Sequence, residues 1–359
     1  MCLIAYLVPP LSVESLASRQ LLKSIEKFSV DMGLCVEGNV RRDLRNPYEE
    51  IMNKKALIFL RKLEILRRLL FSYIKYKAVV IPYSTSFFNP LSVLDVKYLL
   101  RPMEKLLSKV RAILYVYDSP VLQRFIFKGV LPSFSLDAES RFLNKAHAIM
   151  VFNSYFAKFL EDVYGVDRER TFEFQLLDDF VEFMPPRDKK LNFPSEIIWI
   201  GNLSNFKAFT GNIGQIKNAV FSVYGYGHLS EKPTNLRYKG LILDENSLSL
   251  KISKADFGLL AYPKDFADYM LFGTSMKFST YVVSGLPIIT MSNLIYPAEI
   301  VEKYNIGWVF SSLENLNDFL ESLNEKDYNR KRDNVLELAK KIRSGYFFKK
   351  ALREVAETL

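Results

Sequence analysis

Residues 268–290 read DYMLFGTSMKFSTYVVSGLPIIT, and the order of residue types in this stretch decides the fold. A small polar loop, Gly273-Thr274-Ser275, feeds a helix near Met276. Gly285 ends that helix, and Leu286-Pro287 leads into the apolar strand Ile288-Ile289-Thr290. A helix closed by glycine and followed at once by a buried strand belongs to a parallel sheet with crossover helices. The start of a helix leaves backbone N–H groups without intrahelical acceptors. With Lys277, Ser279 and Thr280 in its first turns, the segment offers an anion site suited to a diphosphate. The same residues equally describe an ordinary capped helix with a routine turn into the next strand, and both readings stay open at this point.

Outward from this segment the pattern repeats. In the second half, residues 196–200, 219–224, 256–261, 287–290 and 307–310 read as strands. Helices are expected over 297–304, 313–323, 329–341 and 345–359. Two strand exits carry glycine, Gly201-Asn202 and Gly225-Tyr226-Gly227, and glycine there lets a ligand approach the backbone closely. The first half alternates in the same way, with strands expected over 2–8, 77–81, 112–117, 148–152 and 171–176. Helical patterns cover 13–28, 102–109, 141–146 and 154–164. Near residues 184–190 the chain turns polar and proline-rich, which places a linker there. The expected class is α/β: two Rossmann-like, doubly wound domains, residues 1–184 and 191–341, facing each other across a cleft. The terminal helix over 345–359 would pack back on the first domain.

Composition removes several classes. The 359 residues include two cysteines and two histidines, His147 and His228, far apart in the chain. This argues against a disulfide scaffold and a His/Cys zinc site, and favours a reducing compartment. No GxGxxG follows a first strand and no GxxxxGK[ST] occurs, which disfavours a dinucleotide fold and a P-loop ATPase. No stretch has the continuous hydrophobicity of a transmembrane helix, and the apolar start lacks the basic region of a signal peptide. The net charge of +9 is concentrated: residues 41–80 hold eleven Lys or Arg against four acids. Within them, residues 54–77 place Leu60, Leu63, Leu66, Leu70 and Ile74 at helical spacing with Arg61, Lys62, Arg67 and Arg68 between. Such a helix lies on an anionic membrane surface, docks on a partner, or is a domain helix with a solvated face. Nucleic acid is not an expected partner, because no recognition motif accompanies the charge. Trp199 and Trp308 lie in apparent strands and read as core.

The stretch KFSTYVVSGLPIIT, continued by AEIVEKYNIGWVFSSLENLNDFLESL, resembles the donor-domain signature of GT-B glycosyltransferases. It is most similar to a small branch containing bacterial glucosyltransferases that extend GlcNAc-modified adhesins and β-1,6-galactofuranosyltransferase-like proteins. IIWIGNLSNFK, AVFSVYGYG, NLRYKGLI and ADFGLLAY resemble further pieces of that branch, in order. The likeness is specific over residues 196–323 and loose before them.

The resemblance implies an enzyme that transfers a hexose from a nucleotide diphosphate sugar, most simply UDP-linked, to a glycan or glycolipid acceptor. It implies no cofactor and no metal, in keeping with the lack of a DxD motif. Gly201 and Asn202 would sit near the diphosphate or the sugar, and Tyr224, Gly225 and Gly227 would shape the nucleotide pocket. Tyr238, Lys239 and Gly240 would lie by the base, and Glu299 is the nearest acid for the ribose. Lys277, Ser279 and Thr280 would hold the diphosphate, with Lys277 neutralising charge on the leaving nucleotide. Met276 stands where the family has an asparagine.

On the acceptor side Asp118 is the candidate general base, although Tyr117 replaces the histidine often found before it. Pro9, Tyr83, Ser84 and Ser119, at other strand exits, would line the acceptor pocket, and Asp178 and Asp179 would face the cleft. The expected location is cytoplasmic, peripheral on the inner face of the membrane, and self-association into a homo-oligomer is left open. The alternative is a catalytically degenerate GT-B-like chain that binds or chaperones another transferase.

Overall fold

The computed structural model describes residues 4–6, 78–83, 104–105, 107–117, 119, 122, 126, 133–229 and 233–359. Pro9, Ser84 and Asp118, the helix expected over 13–28 and the basic segment 54–77 lie outside the described residues. The chain divides into two units, Met1–Gln175 with Phe347–Leu359, and Leu176–Tyr346.

The first unit holds a parallel sheet in the order β1-β2-β3-β4-β5, with β1 Ile4–Tyr6, β2 Ala78–Tyr83, β3 Arg111–Val116, β4 Ala148–Val151 and β5 Thr171–Glu173. The side chains of Ala112–Val116 and of all of β4 are buried. Strands covered on both faces are written as short apolar runs, which is why they were legible in the sequence. Helix α1, Ser133–Asn144, precedes β4, and α2, Ser154–Tyr164, follows it. Asn153 starts α2 by accepting a bond from the Phe156 N–H at 2.9 Å.

Glu139 of α1 is 1% exposed and accepts hydrogen bonds from the hydroxyls of Tyr83, of Ser119 at 3.0 Å and of Tyr164 at 2.6 Å. A buried carboxylate needs such donors, because losing water without replacement bonds is costly. Burial, reinforced by the Glu139 charge, pushes the Tyr164 phenol far above its ordinary range. Tyr83 and Ser119, expected to line an acceptor pocket, are therefore fully buried with their hydroxyls engaged.

The second unit holds a parallel sheet in the order β11-β10-β9-β6-β7-β8. The strands are β6 Ser195–Asn202, β7 Ala219–Tyr226, β8 Leu236–Gly240, β9 Phe257–Leu260, β10 Ile288–Met291 and β11 Gly307–Phe310. The chain runs outward from β6 through β7 and β8, returns to β9 beside β6, and runs outward again through β10 and β11. This is the doubly wound order, whose switch point lies between β6 and β9. Its longer helices are α3 Glu245–Ile252, α4 Met276–Val283, α5 Ile295–Tyr304, α6 Leu316–Ser322 and α7 Glu325–Arg343. Trp199, Phe206, Phe221, Phe257, Leu259, Ile289 and Tyr328 share its core.

The proline-rich stretch expected to link the domains is strapped to this second unit. Arg332 of α7 donates to the carbonyls of Pro186 and Arg187, and Arg343 donates to Phe183 O at 2.8 Å. Buried Asp256 accepts from Asn192 Nδ2 at 2.9 Å and from the Glu196 N–H at 2.8 Å, with Lys189 Nζ at 3.4 Å. Burial lowers the Lys189 ammonium to about 8, against the opposing pull of Asp256. The division between units thus falls at Gln175, ahead of residues 184–190.

The last helix, α8 Tyr346–Ala356, contributes to the first unit, where the Phe348 ring lies 5.5 Å from that of Tyr115. Among the described residues no helix is long and apolar enough to cross a membrane.

Candidate functional site

The exits of β6 and β9 build the site. The two strands pair only through Ile197 with Phe257 and Ile198 with Gly258, and then splay. Tyr281 of α4 fills the wedge: its hydroxyl accepts from the Ile200 N–H and donates to Leu259 O, both at 3.1 Å. A side chain at Gly258 would fall 2.4 Å from the Tyr281 ring, so that position must be bare. Beyond the wedge β6 delivers Trp199 and Gly201, and the residues after β9 deliver Tyr262.

Lys277, in the first turn of α4, sends its ammonium between these two rings, 4.0 Å from the Trp199 centroid and 4.2 Å from that of Tyr262. The Nζ atom is shielded from solvent and has no hydrogen-bond partner. Burial lowers this amine to about 7, because a solvent-excluded ammonium forfeits its hydration. The Thr274 hydroxyl and the Trp199 indole N–H are also buried without partners. Burial pushes the Tyr262 phenol up to about 12, with the Ser275 hydroxyl acting in the opposite sense.

The floor beside Lys277 is backbone. Gly201 pairs with Gly225 across β6 and β7. A Cβ on Gly225 would overlap the Gly201 carbonyl, at 1.7 Å, so the two strands close here only with glycine. Gly201 has φ +135°, and a Cβ there would lie 2.8 Å from Lys277 Cε. Glycine at both positions thus lets the two strand exits close together and leaves room for the stem of Lys277 to cross them.

The other predicted residues distribute as follows. Asn202 starts the next helical turn by accepting from the Ser204 N–H at 3.0 Å. Tyr224 is buried, and burial, followed by the Glu196 charge, raises its phenol. Tyr238 is 44% exposed and donates to Gly225 O at 2.9 Å, which brings it to the same strand exits. Lys239 is exposed, Gly240 ends β8, and Glu299 is exposed on α5.

Ser279 and Thr280 differ from expectation. Both are buried, and their hydroxyls donate to Leu177 O at 2.6 Å and to Asp179 Oδ2 at 3.0 Å. Two residues along the helix put Ser279 on the face opposite Lys277, whereas Thr280, three along, is taken up by its bond to Asp179. Asp179 likewise is buried against Thr280 instead of facing a ligand. Trp199 and Tyr262 were missed as parts of the site. The signal available was their place near the ends of the two apolar runs IIWI and FGLL, Trp199 one residue before the end of the first and Tyr262 two residues past the second.

Residues 197–355 match the family model described as Glucosyltransferase 3-like, C-terminal domain. The chain is similar to Glucosyltransferase 3 of Streptococcus gordonii, 31% identical over 127 residues, which cover 34% of this chain and 37% of that protein. It is also similar to β-1,6-galactofuranosyltransferase WbbI of Escherichia coli K12, 24% identical over 170 residues, covering 45% and 50% respectively. The matched stretches thus span half or less of these two relatives.

Among solved structures, the lipopolysaccharide outer core galactosyltransferase WaaB superposes with a TM-score of 0.60 over 99% of both chains at 12% identity. A T4 phage BGT mutant in complex with UDP-glucose does so with 0.53 over 98% of this chain and 99% of its own, at 15% identity. At such identities the likeness is one of fold. Residues 197–355 accordingly resemble a Glucosyltransferase 3-like C-terminal domain, and the chain has the GT-B fold of its structural neighbours.

Proposed function

We propose that the chain is a hexosyltransferase, moving a hexose from a nucleotide diphosphate sugar, with UDP as the nucleotide, to a glycan or glycolipid acceptor. One observation carries the reading: at the sheet's switch point a buried ammonium, Lys277 Nζ, has no hydrogen-bond partner and stands beside the bare backbone of Gly201. Open α/β sheets bind ligands at this point, and an anion supplies what the lysine lacks.

In the reaction the bond between the anomeric carbon and the diphosphate oxygen breaks, and its electron pair leaves with the nucleotide. The acceptor oxygen forms the new bond and loses its proton. Lys277 and the start of α4 neutralise the charge that grows on the departing diphosphate, so the reaction as proposed calls on no metal. Ser279 and Thr280 act behind the helix, tying it to residues 177–179. Gly201 and Asn202 border the diphosphate. Tyr224, Gly225 and Gly227 shape the nucleotide pocket, Tyr238, Lys239 and Gly240 border the base, and Glu299 meets the ribose. Asp118 is the group assigned to take the acceptor proton.

Calorimetric titration with UDP-, GDP- and TDP-sugars, beside a Lys277→Ala variant, tests this reading. A UDP-sugar is expected to bind, and the variant to bind it roughly ten- to a hundredfold more weakly, the effect of losing a hydrogen bond to a charged group. Equal binding by the variant contradicts the assignment of Lys277. Met276 in the place of the family's asparagine favours one second reading, a degenerate binding subunit. That reading predicts a donor that binds and is neither hydrolysed nor transferred.

A further inference from the structure

Lys277 Nζ is enclosed on every side that the described residues define. The Trp199 ring of β6 and the Tyr262 ring beyond β9 cover it at 4.0 and 4.2 Å. Gly201 borders its stem, and Thr274, 4% exposed, precedes it with a hydroxyl that also lacks a partner. The titratable groups facing the slot are the phenols of Tyr262 and, behind it, Tyr281, both raised by burial and so neutral across the physiological range. The Tyr281 hydroxyl is already engaged with Ile200 and Leu259. No described carboxylate pairs with the amine, and burial is the one influence acting on its protonation. Two ring faces replace only part of the hydration that a buried ammonium gives up. An enclosed amine with no acceptor is therefore more stable uncharged than charged, until an anion reaches it.

We infer that Lys277 is held as a neutral amine in the free protein and takes up one proton from solvent as the diphosphate of the nucleotide binds, so that donor binding and protonation of this residue are a single coupled event. The inference rests on the reading of Lys277 as the diphosphate ligand. The balance is simple: amine, one proton and the nucleotide anion give the ammonium–diphosphate pair, with no covalent bond changed. Burial holds the free amine at about 7. A bound diphosphate returns it toward the ordinary lysine range, because an opposite charge in contact favours the charged form. Between those two values binding consumes a proton, so affinity declines as pH rises through that window. Below it the amine is already charged and the dependence disappears.

The test is calorimetric titration of the full chain with UDP between about pH 7.5 and 8.5, where the nucleotide's phosphates are ionised and its uracil ring has not begun to lose a proton. Buffers of different ionisation enthalpy report the proton count. The expected result is uptake of about 0.9 proton per UDP at pH 8, with affinity falling about tenfold for each further pH unit. UDP binding with no dependence on buffer and a flat affinity overturns the inference and leaves the functional reading standing. Failure of UDP and of every nucleotide sugar to bind removes both.

A second measurement needs no ligand. Between about pH 7 and 10.4 the unfolded chain binds a proton at Lys277 that the folded chain lacks, so this residue makes stability rise with pH. Urea unfolding should show a steeper rise in the wild type than in Lys277→Met, because buried Lys189, held at about 8, contributes a rise to both. Identical slopes in the two proteins contradict a neutral buried amine.

Discussion

Gly201 meets two demands at the exit of β6: a backbone angle of φ +135° and room for the stem of Lys277, whose Cε would lie 2.8 Å from any Cβ at this position. Neither demand tolerates a side chain. Gly201→Ala is expected to cost about 1–3 kcal/mol of stability from backbone strain. It should also weaken UDP binding at least tenfold by displacing the lysine, which thermal melts and titration would report separately. A variant that loses stability but keeps full UDP affinity would show that the stem of Lys277 has another path.

At this scale the sequence was informative about Lys277 and the glycines, since a lysine in the first turn of a helix beside glycine-ended strands is a local pattern. The slot of Trp199 and Tyr262 was not legible. The two residues are 63 positions apart and meet only because β6 and β9 are neighbours in the sheet. Ser279 and Thr280 misled for the opposite reason: they are close to Lys277 in sequence, but the helix turns them toward residues 177–179.

The elements were largely legible because each buried strand is a short apolar run with a turn at its end. Helix α3 was not read at all, α1 was read only over 141–146, and among the strands the exception is β8, LRYKG, in which Leu236 alone is buried and Arg237, Tyr238 and Lys239 face outward. As the edge of its sheet it carries no apolar run to detect. Helix α7 began earlier than its apolar spacing suggested, at Glu325. Its start is fixed by Asn324, which accepts from the Lys326 N–H at 2.8 Å, a signal of capping and not of periodicity.

The strap ahead of β6 is an element-scale device as well. Asp256 receives bonds from Asn192 and from the Glu196 N–H and faces Lys189. Asp256→Ala would leave buried donors unpaired and is expected to destabilise the second unit by about 3–5 kcal/mol, read by urea unfolding. A loss below about 1 kcal/mol would mean that water replaces the carboxylate and that the strap does not anchor the chain.

For the whole molecule, alternating strands and helices were enough to expect two parallel α/β units, and both sheets have that form. The division at Gln175 was harder to read. Pro185-Pro186-Arg187-Asp188 has the composition of a linker, yet Arg332 and Arg343, about 150 residues later, hold this stretch against the second unit. Composition reports what a segment can do alone and is silent about distant arginines.

The account as a whole depends on one placement, the nucleotide diphosphate at the exits of β6 and β9. A crystal structure of the chain with UDP tests it most directly. The account predicts a β-phosphate oxygen within hydrogen-bond distance of Lys277 Nζ and in contact with the backbone of Gly201. UDP bound elsewhere, with the Lys277 amine still closed between Trp199 and Tyr262, would contradict it.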